Sequence, residues 1–416
     1  MLPKLRIIYS VLFMCKVASL QNSVRNKLVS YSIPENREFK KSFGYYEDTY
    51  LNFTELASKY KYPYETYTVY TEDGYILPLF RLLAKCNDPV RKYPVILMHG
   101  IMDTADCWIL TGPKLGIGFL LADNCYDVWA ANHRGNSYAR RHIKLNPDTD
   151  PEFWNFSFDE NGYYDLTATI GFILEKTEKP KVNFIGHSQG TTDFFIMNSL
   201  RPQYNDKIAV SINLAPVTWL AHIESPLAII AAQFSDSAKA FLEGAGLREL
   251  VPKDRIVHFL LELLCQKIPE ELCGTGLAIT LGYKPGTVRP RTLAIAFGHL
   301  FNGVSTKNAV HWGQLVQSKR FQRYDEGREG NIKRYGSVKP PQYNVSKVTA
   351  PVVLIGAHSD WISPLEDLET LSSKLPNLLE KYIVPEPYWS HHNHLWDDKA
   401  PIYVFPKILE YLKKYN

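Results

Sequence analysis

Gly186-His187-Ser188-Gln189-Gly190 fits the Gly-x-Ser-x-Gly turn that carries a nucleophilic serine from the end of a strand into a helix. The residues before it, Lys181-Val182-Asn183-Phe184-Ile185, read as a short buried strand, and residues 191–200 read as a helix. Such a turn is strained, and the strain lifts the serine Oγ to the top of a sheet. Gly186 and Gly190 on either side of His187, Ser188 and Gln189 let the strand and helix backbones pass closely. The pentapeptide alone recurs by chance; a strand before it and a helix after it give it meaning.

Outward from this turn, largely apolar runs at 93–98, 128–131, 208–214 and 352–355 match the run at 182–185. Runs of this kind suit strands buried on both faces, as in a parallel sheet. Amphipathic stretches at 115–123 and 164–177 lie between them as helices. The predicted fold class is α/β, a mostly parallel doubly wound sheet. From about residue 219 to residue 344 the rhythm changes: apolar runs at 227–232, 256–264 and 293–297 have helical length and no clear strand pairs. They predict a helical cap at 219–344 inserted between a first part of the core, 20–218, and a second part, 345–416.

A serine hydroxyl is a poor nucleophile until an imidazole takes its proton, and the imidazole needs a carboxylate to fix its tautomer and stabilise its charged form. On this kind of sheet the order is serine, acid, histidine, with acid and histidine in loops after strands. Asp360 lies in the loop 357–361 after the strand at 352–356, and is the expected acid. Glu366 and Asp367 instead fall in a helix N-terminal segment after Pro364, where acidic residues serve the dipole. The base lies among His391, His392 and His394, which crowd one loop after a strand at 382–384, and position does not choose among them. No fourth ligand at suitable spacing accompanies the three, so no metal is expected, and the chemistry requires no organic cofactor. Two backbone N–H groups should hold a developing oxyanion: that of Gln189, and that of Ile101 in His99-Gly100-Ile101 after the strand at 93–98.

The chain of 416 residues, 45% hydrophobic, is long enough to bury a full core. Of its formal charge of +4, Lys4, Arg6 and Lys16 near the N-terminus supply three, so a nucleic acid or other polyanionic partner is not indicated. Residues 1–19 read as a signal peptide: a basic start, an apolar run at 7–15 too short to span a bilayer, and small residues ending at Ser19. No later segment has membrane-spanning length without charges. Acceptor sequons at Asn52, Asn155 and Asn344 agree with secretory passage. Beyond Cys15 of the leader five cysteines remain. Cys265 and Cys273 could close a short loop, while Cys86, Cys107 and Cys125 read as buried apolar residues.

Several stretches resemble the acid lipases, the family of gastric and lysosomal acid lipases of animals and their insect relatives. His99-Gly100-Ile101-Met102 with Trp108 is similar to that family's oxyanion segment. Tyr126-Asp127-Val128-Trp129, running to Asn132-His133-Arg134-Gly135-Asn136, is similar to its strand and Arg-Gly-Asn loop. Phe153 to Glu160 followed by Tyr164-Asp165-Leu166, and Gly186 to Thr192, match in the same order. The resemblance covers most of the mature chain and implies an α/β-hydrolase fold. Laid without gaps along the family's Tyr-Asn-His-Leu-Asp-Phe-x-Trp stretch, residues 389–401 put His391 on the base. Asn393 stands where the family has Asp two residues after the base, and Asp103-Thr104-Ala105-Asp106 replaces small, Ser-rich residues. Cys265 lies one residue nearer Cys273 than the family's bridged pair, and Leu281 replaces a further cysteine; the resemblance still implies a Cys265–Cys273 bridge.

What the resemblance implies is hydrolysis of neutral lipid esters, triacylglycerols or sterol esters, at a lipid-water interface. The cap would carry a lid around 251–281, and the protein would be secreted or lysosomal. Two other readings are a carboxylesterase for small soluble esters, which emulsified against soluble substrates would distinguish, and a non-catalytic lipid-binding protein on a hydrolase fold. A protein of the second kind usually lacks one catalytic group, and here all three are present.

Overall fold

A computed structural model describes residues 37–86, 93–244, 246–251, 265 and 270–416. The expected leader at 1–19, the apolar run at 256–264 and much of the expected lid at 251–281 lie outside the described residues.

The central sheet has eight strands: β1 (Tyr64–Tyr70), β2 (Ile76–Leu82), β3 (Val95–Met98), β4 (Val128–Ala130), β5 (Val182–His187), β6 (Ile208–Leu214), β9 (Val352–Gly356) and β10 (Leu378–Ile383). Their spatial order is β1-β2-β4-β3-β5-β6-β9-β10. β1 pairs antiparallel with β2 and β2 with β4, and every later pairing is parallel. The central strands are buried along their whole length, which is why they read as continuous apolar runs.

Alternation along each strand feeds two cores. Val95, Leu97, Ile212, Leu214, Val353 and Ile355 pack on one face with the helices α1 (Ile117–Asp123) and α10 (Phe405–Lys414). Ile96, Met98, Phe184, Val352 and Leu354 pack on the other with α2 (Leu166–Thr177), α3 (Gln189–Leu200) and α9 (Leu365–Ser372). In α10 the buried Phe405, Ile408, Tyr411 and Leu412 form one stripe at helical spacing, while Lys413 and Lys414 suit the negative end of the dipole. Burying a side chain such as Ile408 contributes about 1.5–3 kcal/mol.

Within 219–344 the described helices are α4 (Pro226–Gln233), α5 (Ser235–Gly244), α6 (Glu270–Leu281), α7 (Pro290–His299), α8 (Thr306–Ser318) and one at Gly327–Tyr335. The expectation of no strand pairs there needs a correction. Two-residue strands β7 (Glu249–Leu250) and β8 (Val304–Ser305) pair antiparallel, too short to leave a periodic signal.

Register places the functional loops. Met98 stands beside Gly186, His187 beside Leu214, and Leu214 beside Ile355, so β3, β5, β6 and β9 end together. Ligands of open α/β sheets bind outside the carboxyl ends of the strands, and Ile101, Ser188, Asp360 and His391 follow the ends of β3, β5, β9 and β10.

Candidate active site

Ser188 follows β5 at φ 52°, ψ −122°, a conformation that non-glycine residues rarely hold. Surrounding bonds impose it. The Ser188 N–H donates to the Leu214 carbonyl (3.1 Å), and the Thr191 hydroxyl donates back to the Ser188 carbonyl (2.6 Å). Gly190 allows α3 to begin directly against the end of β3: a Cβ there would meet the Met98 carbonyl and stand 2.8 Å from that of His99.

Three predicted residues come together in a row. His391 Nε2 lies 2.7 Å from Ser188 Oγ, and His391 Nδ1 lies 2.8 Å and 3.0 Å from the Asp360 oxygens. All three side chains are buried. Asp360 Oδ1 also accepts the backbone N–H groups of Ile362 (3.0 Å) and Ser363 (2.9 Å). Burial alone would raise its pKa, but the adjacent His391 ring and these donors hold the carboxyl below the usual value. Asp367 instead bonds the backbone and ring of His222, away from this row.

His391 is the histidine the row uses; its neighbours are packing groups. The His392 ring stacks on Trp396, 4.2 Å between centroids, and His394 is buried edge-on to Trp389. Burial holds both well on the neutral side, His394 at about 3. Asn393 accepts from the backbone and hydroxyl of Ser390 and donates to Asp397 (2.6 Å), so the residue that departs from the family pattern pins the loop. His187 Nε2 lies 2.9 Å from the His391 carbonyl, a second anchor for that loop. Among the described residues no group of His, Cys, Asp or Glu is arranged to hold a metal.

On the other side of Ser188 lies the turn after β3. A Cβ on Gly100 would stand 3.0 Å from Ser188 Cβ and 3.5 Å from its Oγ, so the Gly100-Ile101 peptide runs beside the hydroxyl. Met102 then takes φ 59°, and its carbonyl accepts the Asn302 N–H (3.1 Å) from the segment after α7. Gln189 opens α3, and its side-chain oxygen accepts from Asn308 (2.9 Å) and Trp312 (3.0 Å) of α8. Sequence reasoning had no signal for these links, which join residues more than 100 positions apart.

Arg134 is buried between Asp73 and Asp165, holding the loop after β4 against α2. Asp106 accepts from Tyr138 (2.8 Å) and contacts His299 of α7 (3.0 Å). Asp103 is buried, and burial reinforced by Asp106 pushes its pKa up to about 8. Cys107 is buried and free, as expected. Cys86 and Cys125 are a correction: they form a disulfide rather than two apolar core residues. Leu82 pairs with Val128, so the chain leaving β2 and the chain entering β4 run alongside each other, with the two Cα atoms 5.5 Å apart. Cys265 is disulfide-bonded, and the side chain of its expected partner Cys273 lies outside the described residues. Of the sequon residues, Asn155 and Asn344 are exposed, and Asn52 is half-buried as a helix cap accepting from Glu55 N–H. No helix among the described residues is long and apolar enough to cross a membrane.

Residues 53–112 match the model of the partial alpha/beta-hydrolase lipase region, and residues 93–266 match that of the alpha/beta hydrolase fold. The chain is 34% identical over 383 residues to Lipase 1 of Drosophila melanogaster, covering 92% of this chain and 83% of that one. It is 36% identical over 365 residues to the gastric triacylglycerol lipase of Mus musculus (86% and 91%). With the lysosomal acid lipase/cholesteryl ester hydrolase of Homo sapiens the identity is 34% over 374 residues (89% and 92%). The chain therefore belongs to the α/β-hydrolase lipases homologous to gastric, lysosomal and insect lipases, and is an enzyme of the ester-hydrolase type.

Proposed function

We propose that this protein hydrolyses neutral lipid esters, triacylglycerols or sterol esters, through a Ser188-His391-Asp360 triad and an acyl-enzyme. The observation that carries the reading is the buried row from Ser188 Oγ through the His391 ring to Asp360, with contacts of 2.7 Å and 2.8 Å. Ser188 Oγ attacks the ester carbonyl carbon while His391 Nε2 takes its proton, and Asp360 holds Nδ1–H and offsets the charge gained by the ring. The carbonyl oxygen becomes an oxyanion held by the Ile101 and Gln189 N–H groups. Collapse expels the alcohol, which leaves with the proton from His391. Water then adds to the acyl-enzyme by the same route, its proton passing to His391 and on to Ser188 as the fatty acid departs.

Support for a lipid substrate comes from the cap. Leu227, Ile230 and Phe234 lie exposed along α4 and just after it, joined by the exposed Phe241 and Ile279 of α5 and α6. Exposed apolar side chains gathered on the cap suit contact with a lipid-water interface, where an apolar cleft can open. Likeness to gastric and lysosomal enzymes and the leader at 1–19 support a secreted or lysosomal setting.

The test is turnover of emulsified long-chain triacylglycerol, a long-chain sterol ester and a short soluble ester by purified protein. Wild type should prefer the emulsions and be labelled by a fluorophosphonate, and Ser188→Ala should lose both turnover and label while keeping its melting temperature. Undiminished turnover by Ser188→Ala would sink the mechanism; preference for the soluble ester would replace lipase by carboxylesterase.

A further inference from the structure

The buried imidazole of His99 has a tautomer that its neighbours dictate. Its Nε2 faces two donors, the backbone N–H of His133 (3.2 Å) and the side-chain amide of Asn136 (3.2 Å). The orientation of that amide is itself set, because Asn136 Oδ1 accepts the backbone N–H groups of Tyr138 (3.0 Å) and Ala139 (3.1 Å). Its nitrogen, which also donates to Asn132 (2.9 Å), is therefore the atom that meets His99. A ring nitrogen facing two N–H groups must present its lone pair, so the proton sits on Nδ1. Nδ1 lies 2.8 Å from the Gly100 carbonyl oxygen, and donates to it. Burial, with His133 alongside, keeps the ring neutral.

The Gly100 carbonyl and the Ile101 N–H belong to one peptide group. In a planar trans peptide these point in opposite directions, so anchoring the oxygen fixes where the N–H aims. Donation to the oxygen also polarises the amide and strengthens the donor at its other end. This peptide lies beside Ser188, as the 3.5 Å between Oγ and an ideal Cβ on Gly100 shows.

We propose that His99 is a positioning residue for the oxyanion hole: its neutral, Nδ1-protonated ring, held by His133 and Asn136, clamps the Gly100-Ile101 peptide so that the Ile101 N–H meets the developing oxyanion. The proposal rests on Ser188 as nucleophile and Ile101 as donor. Because the clamp is several bonds from the substrate's chain, its loss should weaken transition-state binding and leave ground-state binding nearly unchanged.

The experiment compares His99→Asn, His99→Gln and His99→Ala for kcat and KM on a soluble p-nitrophenyl ester, affinity for an alkylboronic acid that adds to the serine, and melting temperature. An Asn amide can place a donor near Nδ1, whereas a Gln amide reaches toward Nε2 and leaves the Gly100 carbonyl without a donor. Expected are a kcat 10- to 100-fold lower in Gln and Ala, KM within about threefold, boronate affinity falling by a similar factor, and recovery of most of kcat in Asn. Imidazole nitrogen NMR shifts of wild type, with His99 assigned by its loss in the variants, should show a neutral Nδ1–H ring. Normal kcat in His99→Ala, equal losses in Asn and Gln, a loss confined to KM, or an Nε2–H ring would each overturn the clamp. Ser188→Ala run alongside separates the two levels: if it remains active the triad reading fails, and if it is inactive while His99→Ala is normal only the clamp fails. Should His99→Ala not fold, the Asn-to-Gln ratio and the NMR tautomer still decide.

Discussion

Gln189, the residue after the elbow serine, accepts a hydrogen bond at 2.9 Å from Asn308 on the helix α8 that begins the last part of the cap. The same oxygen accepts from Trp312, one turn further along α8 (3.0 Å). A proposed oxyanion donor is thus tied at its side chain to a helix of the insertion. Asn308 also accepts the Phe158 N–H (2.7 Å), so it joins α8, the elbow and the segment before α2. Asn308→Ala should lower stability by about 1–3 kcal/mol, since it leaves buried partners unpaired. It should also lower kcat about tenfold, because small misplacements of catalytic donors are costly. Trp312→Phe, which removes one donor and keeps an aromatic ring of smaller size, should show a smaller loss of kcat and of stability than Asn308→Ala. Urea unfolding and steady-state kinetics check both, and unaltered kcat in Asn308→Ala would show that the tie is structural alone.

Asp360→Asn should separate geometry from electrostatics in the proposed triad. An amide of the same shape can still accept from Ile362 and Ser363 through its oxygen, so the loop should hold. Its nitrogen, however, would present a donor to His391 Nδ1, turning the ring to the tautomer that cannot take the serine proton. A fall in kcat of about 10⁴-fold at neutral pH is expected, with folding intact by circular dichroism. A fall of less than tenfold would move the role of acid elsewhere.

What the sequence made legible follows from physics that leaves a local trace. Ile208–Leu214 and Val352–Gly356 are buried on both faces and so are apolar throughout, and Ser188 and Asp360 follow such strands directly. β1 and β2 left no such trace. Tyr64–Tyr70 is largely exposed on an edge, and Pro78 interrupts β2. Pro78 is tolerated because β4 pairs only with residues 80–82 of β2, so its missing N–H falls beyond that ladder. With β2 unseen, the neighbourhood of Cys86 and Cys125 was unseen too. His391 was hidden differently: three histidines within four residues of an irregular loop have no period, and only resemblance to a family, and then the row with Ser188 and Asp360, singles one out.

Asp103 should make stability depend on pH. In an unfolded chain its pKa is about 4, and in the fold it is pushed up to about 8 by burial and by Asp106. Between these values the folded state holds one more proton than the unfolded state, so raising the pH through the window destabilises the fold. Below about pH 4 the group is protonated in both states, and above about pH 8 it is ionised in both, so the penalty stays constant. Asparagine cannot ionise. The stability of Asp103→Asn relative to wild type should therefore rise from pH 4 to pH 8 and then level off. Melting temperatures of both proteins across pH 4–9 test this; a constant difference would mean that Asp103 has an ordinary pKa.

The Cys86–Cys125 disulfide closes a loop of 39 residues that contains β3, the His99-Gly100-Ile101 turn and α1. Closing a loop of this size stabilises by restricting the unfolded chain, and a loss of about 2–4 kcal/mol is expected when it is removed. The bond lies at the opposite end of β2 and β4 from Ser188, since the chain leaves β2 and enters β4 there while the functional turns follow the far ends of β3 and β5. Cys86→Ser/Cys125→Ser should therefore lower the melting temperature and leave kcat within about twofold at a temperature where both proteins are folded. Removing both cysteines together avoids leaving a new free thiol in addition to that of Cys107. A large fall in kcat at full folding would mean that this loop transmits strain to the turn beside Ser188. Unchanged melting would mean that the loop is already restricted by β3, whose burial between β4 and β5 then does the stabilising by itself.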